Sequence, residues 1–168
     1  MFGTVIMASE GELVGFVAAF ARTGEIGPIR CGLSLHQLEN ALRGLRMIGP
    51  GEAVPTENVK FGSVEIYISR GVVVMLGLDS MGNLSFNLPE SLRQGGSRHE
   101  YVRHQEVIDA LARHSVRWSE DPDLTFDDQV AIKTTSGVSL VFTDRSPGWA
   151  TNVSHRLLLH SMYRSAPM

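Results

Sequence analysis

The sequence predicts an α+β fold: an antiparallel sheet built from two helix-plus-hairpin units, with the helices packed on one face. Three observations carry this. Apolar residues at helical spacing occur in each half of the chain. A switch to period-two alternation follows each time. A glycine turn, Arg70-Gly71 or Ser136-Gly137, then joins two strand-like runs.

The first helix is expected over Ser9 to Arg22. Ser9 and Glu12 have capping-box spacing, and Leu13, Phe16, Val17 and Phe20 make one stripe. Gly24 is the expected stop. After an extended connector, Gly27 to Gly32, the second helix has the best local signal. Ser34 and Gln37 form a capping box, Leu33 and Leu38 a hydrophobic staple, and Leu35, Leu38, Leu42 and Leu45 an apolar face ending near Gly44. Ile48 to Asn58, with two prolines and two glycines, reads as a loop. Val64, Ile66 and Ile68 alternate with Glu65, Tyr67 and Ser69 as a half-buried strand, which pairs with Val72 to Leu78. Asp79 to Asn83 reads as a turn and Leu84 to Leu88 as a short third strand.

In the second half, Gln94 to Ser97 reads as a loop. The third helix is expected over Arg98 to His114, burying Tyr101, Ile108, Leu111 and Ala112. Val116 to Trp118 reads as a short strand and Glu120 to Asp128 as an acidic loop. Gln129 to Thr134 and Val138 to Thr143 make a second hairpin. Ser146 to Thr151 is a turn, and Val153 to Tyr163 a closing strand, with a helix as the alternative. Placing Gly71 on Gly137 sets Val72 on Val138, Val74 on Leu140 and Leu76 on Phe142, but Leu38 on His104, so an internal repeat is one reading of the two halves.

Length and composition fit one domain over 1–168, with sub-units at 9–90 and 98–163. Hydrophobic residues are 43% and charged residues 20% of the 168. A net charge of −3 disfavours a nucleic-acid partner. The single cysteine, Cys31, excludes an intrachain disulfide and suits a reducing, cytoplasmic setting. The longest apolar runs are too short to span a bilayer, and Met1 to Met7 lacks the basic region of a signal peptide, so no membrane association is expected.

Candidate chemistry is sparse. Cys31, His36 and Glu39 have the residue types of a nucleophilic triad, but Cys31 beside an apolar helix start reads better as a small buried hydrophobe. Glu100 and His104 share a helix face, yet Asp109 lies on the opposite side and His99 and His114 add no converging set, so no metal or cofactor is expected. An EF-hand pattern fails, because Phe126 and Ile132 occupy the positions for glycine and glutamate. Phosphate-loop and nucleophile-elbow signatures are absent. What remains is an acidic, aromatic surface. Trp118 and Phe126 are apolar anchors among Glu120, Asp121, Asp123, Asp127 and Asp128, which suits a basic protein partner.

The run Ile26-Gly27-Pro28-Ile29-Arg30-Cys31-Gly32-Leu33-Ser34-Leu35-His36-Gln37-Leu38 resembles the turn and short helix that open small bacterial helix-plus-β-meander proteins. The β-lactamase inhibitor protein and small outer-membrane assembly lipoproteins share that unit. The hairpin from Gly62 to Asp79 is similar to one in actinobacterial immunity proteins of polymorphic toxins. The resemblance covers residues 24–80. The chain lacks the inhibitor's disulfide cysteines and the lipoproteins' lipobox, and no functional residue carries over. It implies a non-catalytic immunity protein that neutralises a toxin by contact. The alternatives are a small-molecule-binding domain or enzyme, with Arg30, His36, Tyr67 and Asp79 lining a pocket, and a homodimer subunit without separable activity.

Overall fold

The computed structural model describes residues 11–80, 84–93, 101–144 and 157–167. The fold is α+β, with three helices and one seven-stranded antiparallel sheet. The elements are α1 (Glu12–Thr23), α2 (Leu35–Gly44), β1 (Asn58–Phe61), β2 (Val64–Ser69), β3 (Val72–Asp79), α3 (His104–Arg113), β4 (Trp118–Glu120), β5 (Gln129–Thr134), β6 (Val138–Asp144) and β7 (Leu157–Ser165). A short 3-10 turn, Glu90–Leu92, follows β3. The sheet order is β1-β2-β3-β7-β6-β5-β4, so the meanders β1-β2-β3 and β4-β5-β6-β7 meet where β7 pairs with β3.

The helix ends follow local chemistry. Ser34 Oγ accepts from Gln37 N–H at 3.2 Å, and Gln37 Oε1 accepts from Ser34 N–H at 2.9 Å, completing the box. Leu33 and Leu38 are buried beside it. Gly24 ends α1 in the left-handed region. Ser9 lies outside the described residues, and α1 takes Gly11 as its N-cap, so Glu12 is the first helical residue and not a box partner.

Several boundaries move for stated reasons. The third helix starts at His104, because Val102 is extended: its carbonyl accepts from Leu159 N–H of β7 at 2.7 Å. Tyr101, before the helix, is 60% exposed, and Ala112 is also exposed; the buried side is Val107, Ala110 and Leu111. Leu84 to Leu88 is not a strand. Asn87 is bound to the β1–β2 turn, its carbonyl accepting from Ser63 N–H and its N–H donating to Ser63 Oγ, both at 2.8 Å. The loop read as ending at Asn58 instead runs into β1. The short strand begins at Trp118, not Val116, because Val116 N–H caps α3 through Leu111 O at 2.8 Å. Glu120 consequently belongs to β4 rather than to the acidic loop. The closing strand is present and runs on to Ser165. The turns read at Gln94 to Ser97 and Ser146 to Thr151 lie outside the described residues.

The register defines the two sheet faces. Val64, Leu78, Met162, Leu140 and Ile132 lie opposite one another across the strands, as do Ile66 and Leu76. They belong to one core with Leu13, Val17 and Phe20 of α1, Leu38 and Leu42 of α2, and Val107 and Leu111 of α3. The other face carries the row Lys60, Glu65, Gly77, Tyr163, Ser139 and Lys133.

The halves repeat, but not in the register that aligns Gly71 with Gly137. β3 and β6 are both antiparallel to β7 and flank it, so they are parallel to each other in mirrored order. No rotation superposes hairpins β2–β3 and β5–β6 with the same face on the core. A two-fold axis normal to the sheet, through the Gly77–Tyr163 pair, instead carries α2-β1-β2-β3 onto α3-β5-β6-β7. The local details agree. Met47 N–H to Leu42 O matches Val116 N–H to Leu111 O, with left-handed Arg46 matching left-handed Ser115. The Ser34–Val72 bridge matches Arg103–Leu158. The bulged residues Val74 and His160 also correspond.

Two stability predictions follow from this geometry. Gly62 and Gly71 both have positive φ, but only at Gly62 would a Cβ collide with a backbone carbonyl, that of Asn87. Gly71→Ala should cost about 1 kcal/mol through strain alone, and Gly62→Ala about 2–4 kcal/mol. Urea unfolding at unchanged m-value reads both, and equal costs contradict the packing at Asn87. At the start of α3, Glu106 Oε2 accepts from Arg103 N–H at 2.9 Å, but a guanidinium has no acceptor with which to complete the box as Ser34 does. Arg103→Ser should therefore stabilise the protein by about 0.5–1 kcal/mol in the same assay.

Candidate functional site

β4 and the loop after it carry the acidic, aromatic surface. β4 ends at Glu120 because the next β5 donor, Ala131 N–H, is taken by Thr125 Oγ1 rather than by the Asp121 carbonyl. The loop is fixed by its own side chains. Asp121 N–H donates to Ala131 O at 2.9 Å, and Asp121 Oδ1 accepts from Asp123 N–H at 3.2 Å. Thr125 Oγ1 accepts from Ala131 N–H at 3.0 Å and donates to Asp121 O at 2.8 Å, standing in for a strand neighbour. Gln129 Nε2 donates to Leu124 O at 2.7 Å. Phe126 and Gln129 exchange backbone hydrogen bonds of 3.0 and 2.8 Å around Asp127 and Asp128, and Asp127 takes the left-handed conformation that aspartate tolerates.

Trp118 is 42% exposed and Phe126 55%. Glu120, Asp123, Asp127 and Asp128 are exposed and Asp121 is half-buried. The structure does not bring the two aromatics together. Trp118 lies beside Thr134 at one end of β5 and Phe126 beside Gln129 at the other, roughly 17 Å apart at about 3.4 Å per residue. Asp127 and Asp128 accompany Phe126. Asp121 and Asp123 line an open groove of about 610 Å³ together with Lys133, Ser139, Tyr163 and Arg164.

The outer sheet face holds a second polar group that sequence reasoning missed as a unit. Lys60 Nζ lies 2.6 Å from Glu65 Oε1 and 3.8 Å from Asp79 Oδ2, and Tyr67 OH donates to Glu65 Oε2 at 3.5 Å. Burial, and then the Glu65 charge, push the Asp79 carboxyl above its usual range, against the pull of Lys60. The period-two pattern put Glu65 and Tyr67 on the polar side of β2. Their juxtaposition with Lys60 requires the β1 register, and the sequence pattern assigns no strand to Val59–Phe61.

Other candidates separate. Cys31 Sγ donates to Arg164 O at 3.4 Å, and burial pushes the thiol pKa up, the opposite of an activated nucleophile. His36 instead contacts Asn40, and Glu39 faces Val54 N–H and Arg43. Arg30 and His36 are exposed near α2, whereas Tyr67 and Asp79 lie on the outer sheet face, so these four do not line one pocket. His99 and Glu100 lie outside the described residues. Among the described residues no group of three or more histidine, cysteine or acidic side chains could hold a metal. No described helix is long and apolar enough to cross a membrane. No protein-family model, no curated protein and no solved structure matches the chain.

His104 packs edge-on against Phe142, with ring centroids 4.7 Å apart, and burial holds its pKa below the ordinary 6.5. A base whose folded pKa is depressed gives up stability as pH falls from its unfolded value towards the folded one, because the unfolded chain takes the proton first. Comparing urea unfolding of the wild type and His104→Leu between about pH 7.5 and pH 5 should show a steeper acid-side loss in the wild type. Parallel pH profiles would contradict this burial.

Proposed function

We propose that this chain is a non-catalytic binding protein, working in a reducing compartment, that holds a basic protein partner as an immunity protein holds a toxin. The observation that carries this is the exposure of Trp118 and Phe126 among Glu120, Asp121, Asp123, Asp127 and Asp128 on a hydrogen-bonded edge. Exposed aromatics are the side chains most often used as interface anchors. A loop already fixed by its own hydrogen bonds loses little conformational freedom on docking. Acidic groups around the anchors steer a basic surface and repel an acidic one. The span between Trp118 and Phe126 fits within a standard interface of roughly 800 Å² per partner. The resemblance of the Gly62 to Asp79 hairpin to one in immunity proteins is the sequence ground for naming that class of partner.

The test is co-purification of the tagged full chain with the product of the adjacent gene, followed by affinity measurement on variants. Replacing Asp121, Asp123, Asp127 and Asp128 with asparagine should weaken binding about tenfold, mostly through the association rate, and flatten its salt dependence. Trp118→Ala or Phe126→Ala should cost about 2 kcal/mol through faster dissociation. A stoichiometric complex indifferent to all of these variants would move the interface off this edge. A chain that captures nothing and elutes as a symmetric dimer would replace the partner with a second copy.

A further inference from the structure

The two-fold relation between the halves places Lys60 of β1 on Lys133 of β5, Glu65 of β2 on Ser139 of β6, and Asp79 of β3 on Ser165 of β7. In the first half the lysine is neutralised within the chain, by Glu65 at 2.6 Å and Asp79 at 3.8 Å. In the second half both carboxylates are replaced by hydroxyls, and Lys133 makes no ion pair among the described residues. Ser139 is only 6% exposed, and its Oγ makes no hydrogen bond among the described residues. Lys133, Ser139, Ser165 and Tyr163 all line the groove of about 610 Å³, together with Asp121 and Asp123.

We propose that this groove is a carboxylate-binding site, in which the ligand's carboxylate takes the place that Glu65 fills in the other half, and in which a cationic group beside that carboxylate faces Asp121 and Asp123. Lys133 supplies a charge, Arg164 on the groove lining adds a second cation, and the Ser139 and Ser165 hydroxyls donate hydrogen bonds to the carboxylate oxygens. Asp121 and Asp123 repel a dianion such as phosphate and attract an ammonium or guanidinium. The ligand chemistry is therefore an acid–base pair, from a free amino-acid zwitterion or from neighbouring side chains of a polypeptide. The volume lies within the range of small-molecule sites. This site is independent of the partner reading and is tested without a partner.

The experiment is a titration of the isotope-labelled full chain, followed by amide shifts, with L-alanine, N-acetyl-L-alanine, L-alanine methyl ester and inorganic phosphate as probes. L-Alanine should shift Lys133, Ser139, Tyr163 and Ser165 saturably, with N-acetylalanine weaker and neither the ester nor phosphate saturating. Ser139→Glu copies the first half and should fill the site, removing the response to alanine while the remaining spectrum persists. Lys133→Met should weaken alanine at least roughly tenfold. Equal binding of N-acetylalanine overturns the pairing of a cationic group with Asp121 and Asp123, because the ammonium then contributes nothing. Saturation by the ester or by phosphate, no saturable shift with either carboxylate, or unchanged titrations in Lys133→Met and in folded Ser139→Glu overturn the proposal.

Discussion

At the centre of the sheet, Gly77 of β3 lies opposite Tyr163 of β7, and the pairing of these strands is the ladder that joins the two meanders. A Cβ at position 77 would stand 2.6 Å from Met162 O and 3.0 Å from Tyr163 Cβ, so the approach requires glycine. Glycine within a strand forfeits side-chain packing and conformational entropy. Here the Met162 carbonyl and the Cα and Cβ of Tyr163 stand against the vacated place. Because the pair lies on the two-fold axis, it is also where the halves must differ: a repeat with tyrosine in both strands would not close, and one with glycine in both would leave the middle of the sheet thin. The asymmetry of the molecule starts from this contact.

From that centre the core follows by alternation. Leu76 and Leu78 of β3 and Met162 of β7 join one core with the apolar stripes of α1, α2 and α3, while Gly77, Asp79, Ser161 and Tyr163 take the alternate positions along the two strands. The bulges at Val74 and His160 occupy corresponding places, so both halves keep their apolar residues on the core side after the register shift. The carbonyls of Leu33 before α2 and Val102 before α3 accept from the central strands, at Val73 N–H and Leu159 N–H. The helix starts are therefore set by the sheet as well as by their own caps.

This division explains what was legible in the sequence. Capping and turn chemistry is local, so Ser34 with Gln37, the stop at Gly24 and the hairpin at Arg70-Gly71 could be read directly. Partners distant in sequence could not. Nothing near Val102 says that its carbonyl will be taken by β7, and so the third helix was drawn too long. Nothing near Asn87 says that it closes the β1–β2 turn, and an apolar alternation read as a strand became a covering loop. The repeat was partly visible but mis-registered. Gly71 sits in a two-residue turn, whereas Gly137 ends a three-residue one with its N–H on Thr134 O, so like glycines marked unlike places. For the candidate site, the exposure of Trp118 and Phe126 was read correctly as surface. Their separation, and the opening beside Lys133, depend on strand register.

The differences between the halves also locate where function can reside. What the fold needs corresponds between the halves: the C-terminal turns of α2 and α3, the bulges and the core positions match. The connection from α3 to β5 departs from its counterpart between α2 and β1: it adds β4, which covers the β5 edge that β1 leaves bare, and it carries the aromatic and acidic residues outward on a loop braced by Thr125. The lysine pair departs in the same half, Lys60 satisfied by carboxylates and Lys133 facing hydroxyls. Neither change improves folding in an evident way. An added edge strand of three exposed residues, Trp118–Glu120, buries little, and a lysine without an ion pair among the described residues forgoes an interaction that the other half makes. Both departures meet at Asp121 and Asp123, which belong to the acidic edge and to the lining of the groove. A partner seated along β4 would therefore cover the groove mouth, and a carboxylate held there would place its charge inside that interface.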